Sequence, residues 1–242
     1  MKEHIINKID LMLKRYEKLG LTDSFLYKQL QNDIKNDAWL VQLADTLTKV
    51  KNADKILDVV GQMTKDGSDQ RLMAMFAEID TAMRLTEWAK GFFGTFNDAE
   101  YLERKNKRQP DFKAWNGDQV MPVETKTIGR AEIIDVDKFM AKVLKKITTD
   151  ALPQLASFYE DTTFEQGIIF IWTQQRLNFE VGGRRVDGYW ELRQQVEAIE
   201  NSEVSFDTQI IIMFANPYDL WDYRLLRGAS QSAARSSAEE SS

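Results

Sequence analysis

The chain has 242 residues, 43% hydrophobic and 29% charged, with a formal net charge of −6, which is enough for one large domain or two small ones around a real core. It has no cysteine and a single histidine, His4, so disulfides, thiolate zinc sites and thiol nucleophiles are excluded, and Ser-His-Asp hydrolysis and His-rich metal sites are argued against. Chemistry then falls to carboxylates, lysines and arginines, and any metal is expected to be hard and oxygen-bound.

The negative balance also argues against coating nucleic acid through bulk positive charge. Basic residues do gather locally in "ERKNKR" (103–108), "KVLKK" (142–146) and "GGRR" (182–185). No apolar run approaches a membrane span, the densest being "GIIFIW", and the charged N-terminus lacks a signal peptide's apolar core. The expectation is a cytoplasmic protein with no membrane partner.

Ile5, Ile6, Ile9, Leu13 and Tyr16 recur at three- and four-residue spacing and predict a first helix ending near Gly20. Asp23 or Ser24 caps a second, with Phe25, Leu26, Leu30 and Ile34. Trp39, Leu40, Leu43, Leu47 and Val50 predict a third helix, and Ile56, Leu57, Val59 and Val60 a fourth. "KDGSD" (65–69) breaks the pattern, so an all-helical N-terminal region is expected over 1–67. A long helix follows over about 70–90, with Leu72, Met75, Phe76, Ile79 and Met83 along one face. Glu78 lies on its flank, where it either looks inward past the edge of the core or faces water.

"GFFGTFNDAEYLERK" reads as a strand, a turn at Asn97-Asp98 and another extended piece. "PDFKAW" and "VMPVETKTI" read as two strands joined by "NGD", since Asn-Gly is a strong hairpin signal. A helix over about 136–159, kinked or broken near Pro153, precedes "GIIFIWTQQ", a strand too apolar on both sides for an exposed surface. A helix over about 188–200 leads to the strand "TQIIIMFA", and "NPYDLWDY" closes the fold. The expected architecture over 68–227 is α/β, a mixed central sheet flanked by helices. The stretch 228–242 is poor in large apolar residues and is expected to be a disordered tail.

The segment "RQPDFKAWNGDQVMPVETKT" (108–127) carries the chemistry. Asp111 stands at the start of one strand, behind a proline that cannot donate to a sheet ladder. Glu124 and Lys126, two apart, project from the same face of the next strand, while Thr125 points the other way. Antiparallel pairing through the Asn-Gly turn would bring Asp111 to the same end of the sheet. Two carboxylates and an ammonium together are costly unless a cation or phosphate sits among them. Magnesium suits that need: it takes one or two carboxylates, keeps several waters and accepts a substrate phosphate oxygen. The bland reading is that Asp111 caps a turn and Glu124 and Lys126 form a surface ion pair.

Pro110-Asp111 followed by Glu124-Thr125-Lys126 resembles the signature of the PD-(D/E)xK nuclease superfamily. The order of elements over roughly 69–223 is also similar to that family's restriction-endonuclease-like core. The resemblance implies a metal-dependent nuclease in which Asp111 and Glu124 bind magnesium, with manganese able to replace it, and Lys126 acts on the attacking water. In that family a helix before the first core strand often supplies a further acid, and Glu78 is the matching position for a catalytic and metal-binding role. Lys142, Lys145 and Lys146, on the helix after the lysine strand, are the implied nucleic-acid contacts. Arg184 and Arg185 of "VGGRRVDG" lie in what reads as a turn, from which they could also touch a nucleic-acid backbone.

The leading expectation is therefore an endonuclease acting on DNA rather than RNA, in restriction, phage defence or repair. The N-terminal helices would place substrate, form a homo-oligomer or dock a protein partner. A different class of reading is a catalytically inactive nuclease-fold protein that binds nucleic acid or serves as a scaffold. The acidic net charge and the lack of a DNA-reading motif in the N-terminal helices point that way. The intact acid–acid–lysine set points back to an enzyme.

Overall fold

The computed structural model describes residues 1–58, 70–88, 98–102, 109–128, 136–159, 166–173, 178–181, 183–187, 190, 194–195, 207–214 and 223–227. Outside them lie Val59 and Val60, "GFFGTF", most of the helix expected over 188–200, most of "NPYDLWDY" and the stretch 228–242. The chain divides into two compact units, Met1–Glu103 with Asp111–Val120, and Arg104–Pro110 with Met121–Ser242. The boundary expected at 67/68 thus falls inside the first unit, at residues that are not described. The described elements are α/β with mixed strand pairing and a helical N-terminal region.

The first unit opens with α1 (Lys2–Lys18), α2 (Phe25–Asp33) and α3 (Asp37–Lys49). α1 buries Ile5, Ile9, Met12 and Tyr16, with Met12 in place of the expected Leu13, which like Ile6 is only half-buried, and packs against both α2 and α3. Tyr16 meets Tyr27 of α2 with ring centroids 6.0 Å apart. Of the two candidate caps it is Ser24 that starts α2, its side chain accepting from the Tyr27 backbone N–H, and Asn36 caps α3 in the same way on Trp39. The region is not all-helical, however. β-branched Val50 leaves α3 for a two-residue strand, β1 (Val50–Lys51), and the expected fourth helix is, as far as it is described, a short 3-10 turn, Ala53–Leu57. Asn52 supplies the sharp bend between them at φ 61°, which a short polar side chain tolerates.

α4 (Gln70–Met83) continues into a π-helical turn, Arg84–Trp88. β2 (Asp98–Tyr101) runs parallel to β1, and β3 (Phe112–Asn116) antiparallel to β2. Asp98, read from the sequence as part of a turn, already belongs to the strand. Burial pushes the Glu100 carboxyl up, but Lys113 at 3.0 Å and Lys51 at 3.5 Å outweigh it and hold the group below its ordinary value. One carboxylate thereby ties all three strands. After β3 the positive φ of 61° falls on Gly117, first of two turn residues with Asp118, as in a II′ turn rather than the I′ turn that Asn-Gly favours.

β4 (Gln119–Ile128) belongs to the second unit from Met121 on, where it runs parallel to β5 (Gln166–Thr173); β5 runs parallel to β8 (Asp207–Phe214), and β9 (Tyr223–Arg227) closes the order antiparallel to β8. Ile168, Ile169, Phe170 and Ile171 are all at 0% exposure, the double-sided burial expected of a parallel inner strand. β6 (Asn178–Val181) and β7 (Arg184–Asp187) pair antiparallel around Gly183 as a separate two-stranded sheet. Only its turn is legible in the sequence pattern, and β9 begins in a stretch expected merely to close the fold.

The helix expected over 136–159 is α5 (Val136–Lys145), a π-helical stretch (Lys146–Ala151), α6 (Leu152–Ala156) and a 3-10 turn (Ser157–Tyr159). Its buried residues Phe139, Val143, Ile147, Ala151 and Leu155 recur every fourth position. A pure α-helix would rotate such a stripe by about 40° at each step. The wider i→i+5 turns absorb that drift and keep the stripe on the core. The π stretch also ends just before Pro153, which has no N–H to give to the preceding turn. Thr148 and Thr149 hydroxyls donate to the carbonyls of Leu144 and Lys145, four residues back, at 2.9 and 2.7 Å.

Candidate functional site

In the second unit the residues Glu124-Thr125-Lys126 lie in the middle of β4, in parallel register with Ile169, Phe170 and Ile171 of β5. The pleat puts Glu124 and Lys126 on one face, as expected, and Thr125 on the other. They do not form the surface ion pair of the bland reading. Glu124 is fully buried and the Lys126 side chain is 11% exposed, with Lys126 Nζ donating to Glu124 Oε1.

A third residue, which no sequence motif marks, completes the cluster. Gln154, buried on α6, accepts a second hydrogen bond from Lys126 Nζ on its Oε1. Its Nε2 donates to the carbonyl of Gln109 at 3.4 Å, the residue immediately before Pro110. One turn earlier, Asp150 takes a hydrogen bond from Lys146 Nζ at 2.7 Å and another from the Thr149 hydroxyl at 3.2 Å. The Lys146 hydrogen bond holds the Asp150 carboxyl below its ordinary value against the opposing effect of burial, and the charge of Lys126 adds to the lowering. Lys126 thus sits in the field of two carboxylates of its own unit, only one of which belongs to the motif.

The basic residues expected to meet nucleic acid divide into two groups. Lys142 and Lys145 are exposed on α5, while Lys146 is half-exposed and engaged with Asp150. Arg184 and Arg185 are the first residues of β7, in register with Val181 and Glu180 of β6, so they belong to a strand as well as flanking a turn.

The other two carboxylates belong to the first unit. Glu78 resolves to the inward alternative at 5% exposure, where the Tyr101 hydroxyl donates to its Oε2 at 2.9 Å. Tyr101 is itself fixed edge-on against Phe112, ring centroids 5.3 Å apart. Asp111 is fully buried just before β3, and its carbonyl accepts from the Leu102 backbone N–H at 2.7 Å. On α4, burial raises the Asp80 carboxyl above its ordinary value, and Arg84 at 3.6 Å partly offsets this.

Among the described residues, no three His, Cys, Asp or Glu side chains are grouped so as to hold a metal ion between them. Magnesium needs no such trio, because it keeps most of its waters and takes one or two carboxylates. The acceptors that converge on the Lys126 ammonium are a carboxylate oxygen and an amide oxygen, the hard type of ligand that magnesium also takes. Comparison of the chain with family models, with curated proteins and with solved structures gives no match. Among the described residues no helix is long and apolar enough to cross a membrane.

Proposed function

We propose that this chain is a metal-dependent nuclease of restriction-endonuclease-like fold that hydrolyses phosphodiester bonds, in DNA rather than RNA. The observation that carries the reading is the buried Glu124–Lys126–Gln154 cluster on β4 and α6, in a chain that also buries the Asp of a preceding Pro-Asp. Asp111 and Glu124 are the proposed magnesium or manganese ligands, with Glu78 as a supporting acid whose carboxylate Tyr101 orients. When bound, the metal supplies charge neutralisation at the phosphate and a more acidic water. Lys126 is the residue proposed to act beside it. Held between two oxygen acceptors it is a cationic donor, and of the three N–H groups of an ammonium two are engaged among the described residues, the third being the one proposed to meet a phosphoryl oxygen or the attacking water. Lys142 and Lys145, exposed on α5, serve the nucleic-acid backbone, as does Lys146 when it exchanges Asp150 for phosphate; Arg184 and Arg185 are further candidates. Restriction, phage defence or repair is the proposed setting, in a cytoplasmic protein whose N-terminal helices dock substrate, a second copy or a partner.

A second reading keeps the fold and drops the chemistry. Glu124 at 0% exposure and Lys126 at 11% are also what a purely structural ion pair requires, and this would leave a catalytically silent scaffold or nucleic-acid-binding protein. The experiment that separates the two is cleavage of plasmid and single-stranded DNA, and of RNA, with magnesium, manganese or EDTA, beside Lys126→Ala and Asp111→Ala. Metal-dependent cutting lost in both variants supports the nuclease. Absence of cutting by the folded wild-type protein on every substrate and metal would sink it in favour of the silent reading.

A further inference from the structure

Gln154 bonds in two opposite senses, and this constrains it more than either bond alone. Its Nε2 donates to the Gln109 carbonyl and its Oε1 accepts from Lys126 Nζ. A flip of the amide would set NH2 against ammonium and oxygen against carbonyl, two repulsions in place of two hydrogen bonds. The orientation of the amide therefore follows from the backbone at Gln109. Lys126, by contrast, ends a flexible four-carbon stem with considerable rotamer freedom. Glu124, on the same strand, defines one N–H direction of the ammonium. Gln154, reaching from a different element, defines a second, and two directions fix the third.

We propose that Gln154 is a positioning residue: it clamps the Lys126 ammonium against Glu124, passing to it an orientation set by the main chain just before Pro110-Asp111. The role rests on reading Lys126 as the lysine of a phosphodiester-cleaving site. A neutral amide suits the position. A carboxylate there would add a negative charge beside Glu124 and an incoming phosphate, and it could not donate to the Gln109 carbonyl. An aliphatic side chain would fill the space but leave the ammonium with one acceptor fewer.

The test uses the full chain as wild type, Gln154→Leu and Gln154→Asn, the last retaining the amide but one methylene too short to span both partners. Its first readout needs no nuclease activity. Lys126 is acetylated with limiting sulfo-N-hydroxysuccinimide acetate, and its labelling rate is read by peptide mass spectrometry against Lys142 and Lys145 as internal references. Loss of one hydrogen bond should raise the relative rate at Lys126 about fivefold in both variants. An unchanged rate in either folded variant overturns the clamp, whether or not the protein cuts DNA. The second readout is cleavage with magnesium. Displacing a catalytic group by about 1 Å lowers kcat by about 100-fold, so Gln154→Asn should lose between about tenfold and 100-fold in kcat with KM within about twofold. Wild-type kcat in a variant with raised labelling overturns the positioning role. Raised labelling in both variants of a protein whose wild type never cuts upholds the clamp and refutes the nuclease reading instead.

Discussion

Removing the Lys126 ammonium should destabilise the protein far more than loss of a surface lysine. The partner left behind, Glu124, has no exposed surface, and the lysine side chain itself is only 11% exposed. Breaking a buried pair by deleting one member costs about 3–5 kcal/mol, because the surviving charge stays desolvated. The residual exposure of Lys126 puts Lys126→Met at the lower end, about 3 kcal/mol. That corresponds to a fall in Tm of about 6–12 °C for a chain of this size. Replacing both members, Lys126→Met with Glu124→Met, removes the stranded charge. It should return to within about 1 kcal/mol of wild type, the remainder being the Gln154 oxygen that has lost its donor. Glu124→Met strands the ammonium in turn and should also cost about 3 kcal/mol, so the coupling in the double-mutant cycle is about 5 kcal/mol. The assay is urea denaturation at pH 7.5 in EDTA, followed by far-ultraviolet circular dichroism, at 0.15 M and again at 1 M salt. A buried pair keeps its coupling at high salt, whereas an exposed one is screened. A loss below 1 kcal/mol in Lys126→Met, with coupling below 0.5 kcal/mol, is the behaviour of a solvated pair and would refute the argument.

Two further outcomes follow from buried acids of the first unit. Burial raises the Asp33 carboxyl to about 6 from its ordinary 3.8, although Gln29 donates to its Oδ1 at 2.8 Å. Between those two values the folded chain keeps a proton that the unfolded chain releases, so stability falls as pH rises through that window and the penalty is full above it. Asp33→Asn, which still offers an oxygen to Gln29, should therefore gain about 2–3 kcal/mol at pH 7 and almost nothing at pH 4. Urea midpoints at both pH values decide it, and an equal gain at both would show that the charge is not the cause. Tyr101→Phe should cost about 1–3 kcal/mol, because it leaves ring packing on Phe112 in place while taking the donor from buried Glu78. Thermal melts measure the loss, and a change below about 0.3 kcal/mol would mean that the Tyr101–Glu78 bond contributes nothing.

How much of this was legible in advance depends on whether the interaction is local. The α1 helix, a cap at Asp23 or Ser24, a tight turn near Asn116 and the same-face placement of Glu124 and Lys126 follow from periods of 3.6 and 2 and from turn chemistry. Glu78 was ambiguous because a flank position on a helix is compatible with water or core until the neighbours are known. It was the Tyr101 hydroxyl, from a strand 23 residues on, that decided it. β1 was missed because a strand of two residues has no period to detect, and it exists only by pairing with β2. The π stretch was hidden for a related reason: a hydrophobic repeat of four can be read as a helix that breaks at Pro153 or as one that widens before it.

By itself the sequence determined the chemistry available: no thiols, one histidine, and an Asp…Glu-x-Lys set on predicted strands, together with the amphipathic helices and the doubly buried β5. Those are properties of single residues and of short spacings, which the chain carries wherever it goes. Tertiary structure alone decided that the Glu124–Lys126 pair is enclosed rather than solvated, and that Gln154, 28 residues from Lys126, is its second acceptor. Both depend on which helix covers the face of β4, a long-range packing choice that no local pattern encodes.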